Sequence, residues 1–413
     1  MNILFSIILI SLSLLIMFHG SKITGWDPFS PVRLFPSIWI GAVGVSMLRV
    51  TSIEPEWNAV TWLCVLLGLV GYLMGTVIAD IVWRRMPIRI DPPVVRWDEM
   101  RFTSLILFLF LISSMTLFYE FARYGEIPLF SRFVDTARFE FAVNSFVHRI
   151  ALTIINVAIL SCVYLFSKKK KNVKDNRVVY LIAFFSFVSI IMMAGRFFIA
   201  MAITISMIAY NYLVKRFSKK QFLTLFVCLF LFVSLFSLFR ASIQGYDYSG
   251  YSAGLGLIGS NAWFIPFLPG YLNISTNFIC FNALTEIIQD YSYGKYLFYP
   301  IRVFLGDKEG TGNILIDAGN PVQGFITQTY MGEFYCDFGI LGVFVGSFLI
   351  GLFAMHIYRR MLSSLNPFNV FLYSSIAWNL IFAVYSNVFS MIDFWYGIFL
   401  AYVIHLYVNK KST

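Results

Sequence analysis

The stretch VVYLIAFFSFVSIIMMAGRFFIAMAITISMIAYNYLV, residues 178–214, decides the fold class of this chain. It contains one charged side chain, Arg196, which follows Gly195 near the middle. A single helix of this length would measure about 55 Å, whereas the hydrocarbon core of a bilayer is about 30 Å thick. The stretch therefore predicts two membrane-spanning helices joined by a tight hairpin at Gly195 and Arg196.

The composition extends this prediction to the whole chain. Of the 413 residues, 59% are hydrophobic and 13% are charged, whereas about a quarter are charged in a typical soluble protein. The apolar runs are continuous, which excludes the alternating strands of a porin. We therefore expect an all-α, polytopic integral membrane protein, one domain over residues 1–413, with about eleven transmembrane helices. The predicted spans are 2–19, 34–50, 59–83, 102–121, 147–166, 178–194, 197–214, 221–239, 338–358, 369–386 and 392–408.

The basic residues predict the orientation of these spans. KKKKNVKDNR (168–177) precedes the opening stretch and KRFSKK (215–220) follows it. By the positive-inside rule both clusters are cytoplasmic, so Arg196 faces outward, the N-terminus lies outside and the C-terminus lies inside. The formal net charge of +10 comes from such loop clusters, and nucleic-acid binding is not expected. Two outer loops are long, 122–146 and 240–322, and the second could hold a re-entrant or interfacial hairpin or two short spans.

Four arginines fall on the predicted outer side. Arg196 is either a helix-end arginine that reaches to the interface or a ligand for an anion. Arg138, Arg240 and Arg302 also lie on this side. Because a guanidinium group binds phosphate oxygens in pairs, convergence of the four would create a site for a pyrophosphate.

The segment QTYMGEFYCDFGILGVFVGSFLIGL (328–352) leads from the second long loop into a span. Tyr330, Glu333 and Asp337 are spaced i, i+3 and i+7, which places them on one helix face. A carboxylate there could deprotonate a sugar hydroxyl as a general base, or Asp337 could cap the incoming helix. His148 is a weaker acid–base candidate, since it lies near both long loops.

The sequence gives little indication of a metal or a cofactor. Glu54 and Glu56 could ligate a divalent cation, but two exposed glutamates in a turn explain the same letters. The five cysteines are scattered without a CxxC pair. A bridge between Cys280 and Cys336 is open, although the spacing does not support it. We expect neither a metal nor an organic cofactor.

Five segments, taken in order along the chain, resemble the Wzy-type O-antigen polymerases of bacterial inner membranes, which join oligosaccharide repeat units. The segments are WDPFSPVRLF (26–35), YGEIPLFSRFVDTARFEF (124–141), AGRFF (194–198), YSYGKYLFYPI (291–301) and TQTYMGEFYCDFGILGVFVGSFLIGL (327–352).

The resemblance implies a metal-independent, GT-C-like membrane glycosyltransferase that works on the periplasmic face. A glycan on undecaprenyl pyrophosphate would be transferred as a block to the non-reducing end of a new lipid-linked unit, with a chain-length regulator as a further partner. The expected catalytic residues are Arg196, Asp337 and Glu333. The expected substrate-binding residues are Arg138, Arg240, Arg302 and Tyr330.

Two other functions remain open at this point. A lipid-linked oligosaccharide flippase would share the membrane fold, although no internal repeat is apparent. An O-antigen ligase is disfavoured. The resemblance implies that the related O-antigen ligases use a histidine in their large outer loop. Residues 240–322 contain no histidine.

Overall fold

The computed structural model describes residues 2–19, 26–83, 97–142, 145–168, 176–243, 245, 262–306, 313–319, 321–322, 325 and 327–409. Within these residues the chain is helical, with short 3₁₀ turns at Pro128–Phe130, Ala262–Phe267 and Val388–Ser390. The helices are α1 (Asn2–Phe18), α2 (Pro31–Ser46), α3 (Ala59–Trp83), α4 (Glu99–Tyr124), α5 (Val134–Glu140), α6 (Ser145–Ser167), α7 (Arg177–Met192), α8 (Arg196–Leu213), α9 (Lys219–Ile243), α10 (Leu268–Ile287), α11 (Tyr299–Phe304), α12 (Ile314–Asp317), α13 (Met331–Ser363), α14 (Pro367–Phe382) and α15 (Ile392–Val408).

The chain is a polytopic α-helical membrane protein. Each of the eleven predicted spans overlaps one helix among the described residues, and the bounds of α3 and α15 are those predicted. In the part of the chain that the structure describes, six helices, namely α3, α4, α6, α8, α9 and α13, are long and apolar enough to cross a membrane, and α1, α7 and α15 are shorter apolar helices. Helices α2 and α14 fall in neither group, so the count of eleven spans stays a prediction.

Contacts between helix termini define two ends of the bundle. At one end the Lys219 ammonium donates to Phe18 O at 2.7 Å, and Asp98 N donates to Val408 O at 3.0 Å. These contacts join the C-termini of α1 and α15 to the N-termini of α9 and α4. The N-terminus of α8 and the C-terminus of α9 meet at the other end, which carries Arg196 and is here called the arginine end.

Asp27 ties several helices together at the opposite end. Its carboxylate accepts hydrogen bonds from the hydroxyls of Tyr212 and Tyr358, at 2.9 and 2.8 Å, and from the Arg216 guanidinium at 2.9 Å. The donors belong to α8, to α13 and to the loop after α8. The segment WDPFSPVRLF therefore contains an anchor for the packing of α2 and does not contribute to the arginine end.

Helices α3 and α13 pack with their backbones almost in contact. A Cβ atom added at Gly71 or Gly75 would overlap the carbonyl oxygens of Phe344 and Phe348, and one added at Gly351 would overlap Tyr72 O. Such close crossings are typical of small residues in membrane helices, where van der Waals packing stabilises helix association.

Helix α10 occupies part of the loop predicted over 240–322. Pro269 lies in its first turn, where the missing N–H leaves no hydrogen bond unmade. The helix packs against α2, α3, α9 and α13, and Asn282 Oδ1 accepts from Asn58 N at 2.8 Å and from the Thr61 hydroxyl at 3.0 Å. The predicted loop thus contains a packed helix over Leu268–Ile287. Residues 246–261, the first half of the predicted hairpin, lie outside the described residues.

Candidate functional site

Arg196 is the first residue of α8, immediately after a sharp turn from α7. Ala194 in that turn has a positive φ of 56° and is fully buried. The Arg196 side chain is half-buried, and its guanidinium donates to the hydroxyl of Ser237 on α9. The sequence-predicted hairpin is therefore present, and it directs Arg196 toward the C-terminal turns of α9.

Arg240 and Arg138 are placed by the backbone alone, because their side chains lie outside the described residues. Arg240 is three residues beyond Ser237, one turn further along the same face of α9. Arg138 lies in α5, three residues before Phe141, whose ring is 5.2 Å from the imidazole of His148. The structure thus brings the backbone of Arg240 close to Arg196 and places Arg138 beside the N-terminus of α6.

The two residues that follow Arg196 line a largely apolar cavity. It lies between the first halves of α6, α8 and α15 and the middle of α14, and Phe197 and Phe198, the residues after Arg196, form part of its wall. Its other lining residues are Leu152, Ile155, Asn156, Ile159, Met201, Ile205, Phe371, Ser375, Trp378, Val388, Met391, Asp393, Phe394, Tyr396, Gly397 and Ile398. A few polar groups in an apolar wall are typical of a site for a lipid or a small amphipathic ligand.

Asp337 is fully buried, and its carboxylate holds the loop that follows α10. It accepts from the Ser292 hydroxyl at 2.5 Å, from Leu297 N at 2.7 Å and from Tyr296 N at 3.2 Å. Tyr293 N donates to the Asp337 carbonyl at 3.1 Å. Two of the resembling segments, YSYGKYL and YCDFG, are therefore one interlocked unit, and this carboxylate has little capacity left to act as a base.

Gly339, the glycine of this DFG sequence, interrupts α13. Its φ of 67° and ψ of −154° are non-helical, and a Cβ atom would lie 2.6 Å from the ring of Tyr291. Only glycine adopts this conformation without strain. The kink separates the short N-terminal segment that carries Glu333 and Asp337 from the longer apolar remainder of the helix.

Arg302 supports the same loop from α11. Its guanidinium donates to Lys295 O at 3.1 Å, two residues before the Leu297 amide that Asp337 binds. Within the loop, burial and the neighbouring Asp317 carboxylate raise the pKa of Tyr296. Arg302 and Asp337 thus stabilise one structural unit, at a different place from Ser237 and Arg196.

Glu333 has an incompletely satisfied carboxylate in the interior. Its Oε2 atom is buried and accepts no hydrogen bond from the described residues, while Oε1 has a long 3.5 Å contact from the Gln328 amide. The Ser390 hydroxyl lies beside the carboxyl, in the 3₁₀ turn whose Val388 lines the cavity. Glu333 is therefore separated from the cavity by that turn.

Tyr330 belongs to the packed core. It is almost fully buried, its hydroxyl is 2.7 Å from the Ser347 hydroxyl, and its ring lies 5.2 Å from that of Trp39. Its neighbours are residues of α2, α3 and α13, so the geometry gives Tyr330 a packing role. Its predicted contact with substrate stays a prediction.

The chain matches the model of the family described as "Putative O-antigen polymerase" over residues 3–388, nearly its whole length. It belongs to that family. No curated protein and no solved structure matches the chain. Membership supports a role in O-antigen polymerisation, by a polymerase of glycosyltransferase-like type in a membrane.

The arginine end of this family member also carries polar pairs that were not predicted as pairs. His148 Nδ1 lies 3.0 Å from Glu120 Oε2, and Arg149 Nε lies 4.0 Å from Asp393 Oδ1. The Thr153 hydroxyl contacts that of Tyr396 at 2.8 Å. In the sequence, the feature that indicates a buried pair is Glu120, a single acid at the end of the long apolar run 102–121.

The two glutamates that could ligate a metal have other partners, and the two cysteines that could form a disulfide are free thiols. Glu54 accepts from the Tyr271 hydroxyl at 2.5 Å, and Glu56 pairs with Arg49 at 2.9 Å. Among the described residues, no three histidine, cysteine, aspartate or glutamate side chains group as metal ligands. Cys280 and Cys336 lie in one buried apolar cluster as free thiols.

Proposed function

We propose that this protein polymerises lipid-linked oligosaccharide repeat units on the periplasmic face of a bacterial inner membrane. An acceptor sugar hydroxyl attacks C1 of the donor glycan, the C1–O bond to the lipid diphosphate breaks, and the diphosphate leaves with the electron pair. Undecaprenyl pyrophosphate is the proposed carrier on both substrates. The product is the glycan extended by one unit on the acceptor lipid.

The observation that carries this proposal is the position of Arg196, in a chain of the O-antigen polymerase family. Arg196 is the first residue of α8, where the helix dipole also favours an anion, and the next two residues, Phe197 and Phe198, line an apolar cavity. A diphosphate joined to a polyprenyl chain needs both features, a fork of N–H donors and an apolar wall.

The other predicted residues are proposed to have different roles in this site. Arg240 and Arg138 are proposed as further diphosphate or sugar ligands, because α9 contacts Arg196 through Ser237 and α5 lies beside the N-terminus of α6. Arg302 is proposed to act at one remove, through the loop that it shares with Asp337. Glu333 stays a candidate base only if the Val388–Ser390 turn moves aside. Polymer length would be set with a regulator protein.

The test is the lipopolysaccharide pattern of the native host after deletion of the gene. Core that carries a single repeat unit, with the ladder lost, supports the proposal. Bare core with lipid-linked polymer retained in the membrane would indicate a ligase, and bare core without polymer would indicate a flippase. An unchanged ladder would contradict all three functions.

A further inference from the structure

The Glu120–His148 pair is the most unusual polar contact at the arginine end. Glu120 is completely buried near the C-terminus of α4, after a long apolar run, and such a carboxylate in a membrane bundle is costly unless it is paired. Its partner His148 is 21% exposed at the side chain. One member of the pair is therefore sealed in the bundle, and the other reaches the surface.

The contact orients the imidazole. A carboxylate only accepts hydrogen bonds, so the atom facing Glu120, Nδ1, carries the hydrogen when the ring is neutral. Nε2 is then the unprotonated nitrogen. A histidine held in this way by a buried carboxylate is the arrangement that general bases use.

His148 also continues the cavity-lining stripe of α6. The lining residues Leu152, Ile155, Asn156 and Ile159 recur at helical spacing, and His148 precedes Leu152 by four residues, one turn nearer the arginine end. Arg196 directly precedes Phe197 and Phe198, which line the cavity from α8. His148 and Arg196 therefore lie in the first turns of two helices that line one cavity.

The alternative carboxylates are less suited to take a proton. The Asp337 oxygens already accept four contacts from the 292–297 loop, and Glu333 lies behind the 3₁₀ turn at Val388–Ser390. Asp393 is at the cavity wall, and its carboxylate lies 4.0 Å from the Arg149 guanidinium, with which it forms an ion pair.

We propose that His148 is the general base of the transfer reaction and that Glu120 is its positioning residue. Nε2 of His148 takes the proton of the acceptor hydroxyl while that oxygen bonds to C1 of the donor and the lipid diphosphate departs toward Arg196. The proton then passes to solvent. This inference rests on the proposed polymerase function.

The test uses the purified full-length protein in nanodiscs with the native lipid-linked repeat unit, extracted from a host that lacks the polymerase. His148→Gln should lower kcat by about 10²- to 10⁴-fold and change KM little. His148→Ala should be equally poor, and added imidazole should restore part of its rate, as a missing base predicts. His19→Gln, at an exposed histidine of the opposite end, is the matched control and should turn over normally.

The pH profile separates catalysis from packing. Wild-type turnover should rise with pH as the imidazole loses its proton, and Glu120→Gln should move this limb to lower pH, because a neutral amide stabilises the imidazolium less than a carboxylate does. The described charged groups near His148 are Glu120 on α4, Arg149 on its own helix and Asp393 on α15.

Several results would overturn the inference. Folded His148 variants that retain wild-type kcat, or that lose it without rescue by imidazole, would leave only a packing role for the pair. A pH limb that is unchanged in Glu120→Gln would exclude the positioning role, even if the His148 variants failed to insert. Wild-type protein that makes no polymer would instead refute the polymerase function itself.

Discussion

Arg196 and Asp337 are both charges in the bundle, but their neighbours give substitutions at the two positions different consequences. The Arg196 side chain is half-exposed in the first turn of a cavity-lining helix, and its guanidinium donates to the Ser237 hydroxyl. The Asp337 carboxylate is sealed and accepts from two backbone amides and a hydroxyl. Substitution of the first should affect the reaction, and substitution of the second should affect the fold.

Arg196→Ala should abolish polymer formation while membrane insertion stays intact. Arg196→Lys should also be poor, because a compact ammonium replaces a planar fork that binds two phosphate oxygens. The measurement is the ladder on a lipopolysaccharide gel in the deletion strain, with the protein level checked by immunoblot. Arg123→Ala, at an exposed arginine in the last turn of α4, is the matched control. A full ladder from Arg196→Ala would remove Arg196 from the site.

Asp337→Asn should destabilise the protein more than it slows the reaction. An amide keeps one acceptor oxygen but loses the charge that strengthens the bonds to the 292–297 loop, at a cost of about 1–3 kcal/mol. Thermal unfolding in detergent measures the loss, and Asp290→Asn, at an exposed acid before the loop, is the control. If folded Asp337→Asn had no turnover and an unchanged melting temperature, Asp337 would be the base after all.

At the scale of elements, the kink in α13 and the loop before α11 form one unit. The loop donates its amides to Asp337, and Tyr291 fills the space beside Gly339. The two segments are about 40 residues apart in the sequence. Their contact therefore follows from tertiary packing and cannot be predicted from helical spacing. Tyr330, Glu333 and Asp337 have the predicted helical spacing, but their three side chains contact different partners.

Gly339→Ala should lower the stability by more than about 1 kcal/mol, because alanine is strained at this positive φ and also overlaps the Tyr291 ring. Gly125→Ala separates the two causes, since Gly125 has a φ of 95° and nothing within 4 Å of an added Cβ. The melting temperatures of the two variants should differ clearly. Equal losses would mean that the contact with Tyr291 contributes nothing.

At the scale of the molecule, the bundle has two chemically different ends. The arginine end carries the Glu120–His148 and Arg149–Asp393 pairs and the cavity, whereas the opposite end carries Asp27 and its donors. The positive-inside rule assigns the arginine end to the outer face, which stays a prediction. The eleven predicted spans were found as helices, because long apolar runs must pair their backbone groups within one helix.

Orientation can be tested with single cysteines in a background whose five native cysteines are replaced. An impermeant maleimide should label Phe130→Cys, at the arginine end, in intact spheroplasts. It should label Lys220→Cys, at the opposite end, only after permeabilisation. Both native side chains are exposed, so access depends on the side of the membrane. The reverse pattern would invert the proposed orientation and place Arg196 in the cytoplasm.

The sequence by itself determined the class of fold, the positions of the apolar helices and the hairpin at Arg196, because hydropathy and length act locally along the chain. It also identified segments that resemble those of the polymerase family, such as YSYGKYL and YCDFG. Only the tertiary structure decided what those residues do. Asp337 binds a loop, Tyr330 packs in the core, α10 fills the bundle, and Glu120 meets His148. Contacts between residues distant in sequence depend on how the helices pack. The hydrophobic pattern of one helix does not specify which other helix packs against it.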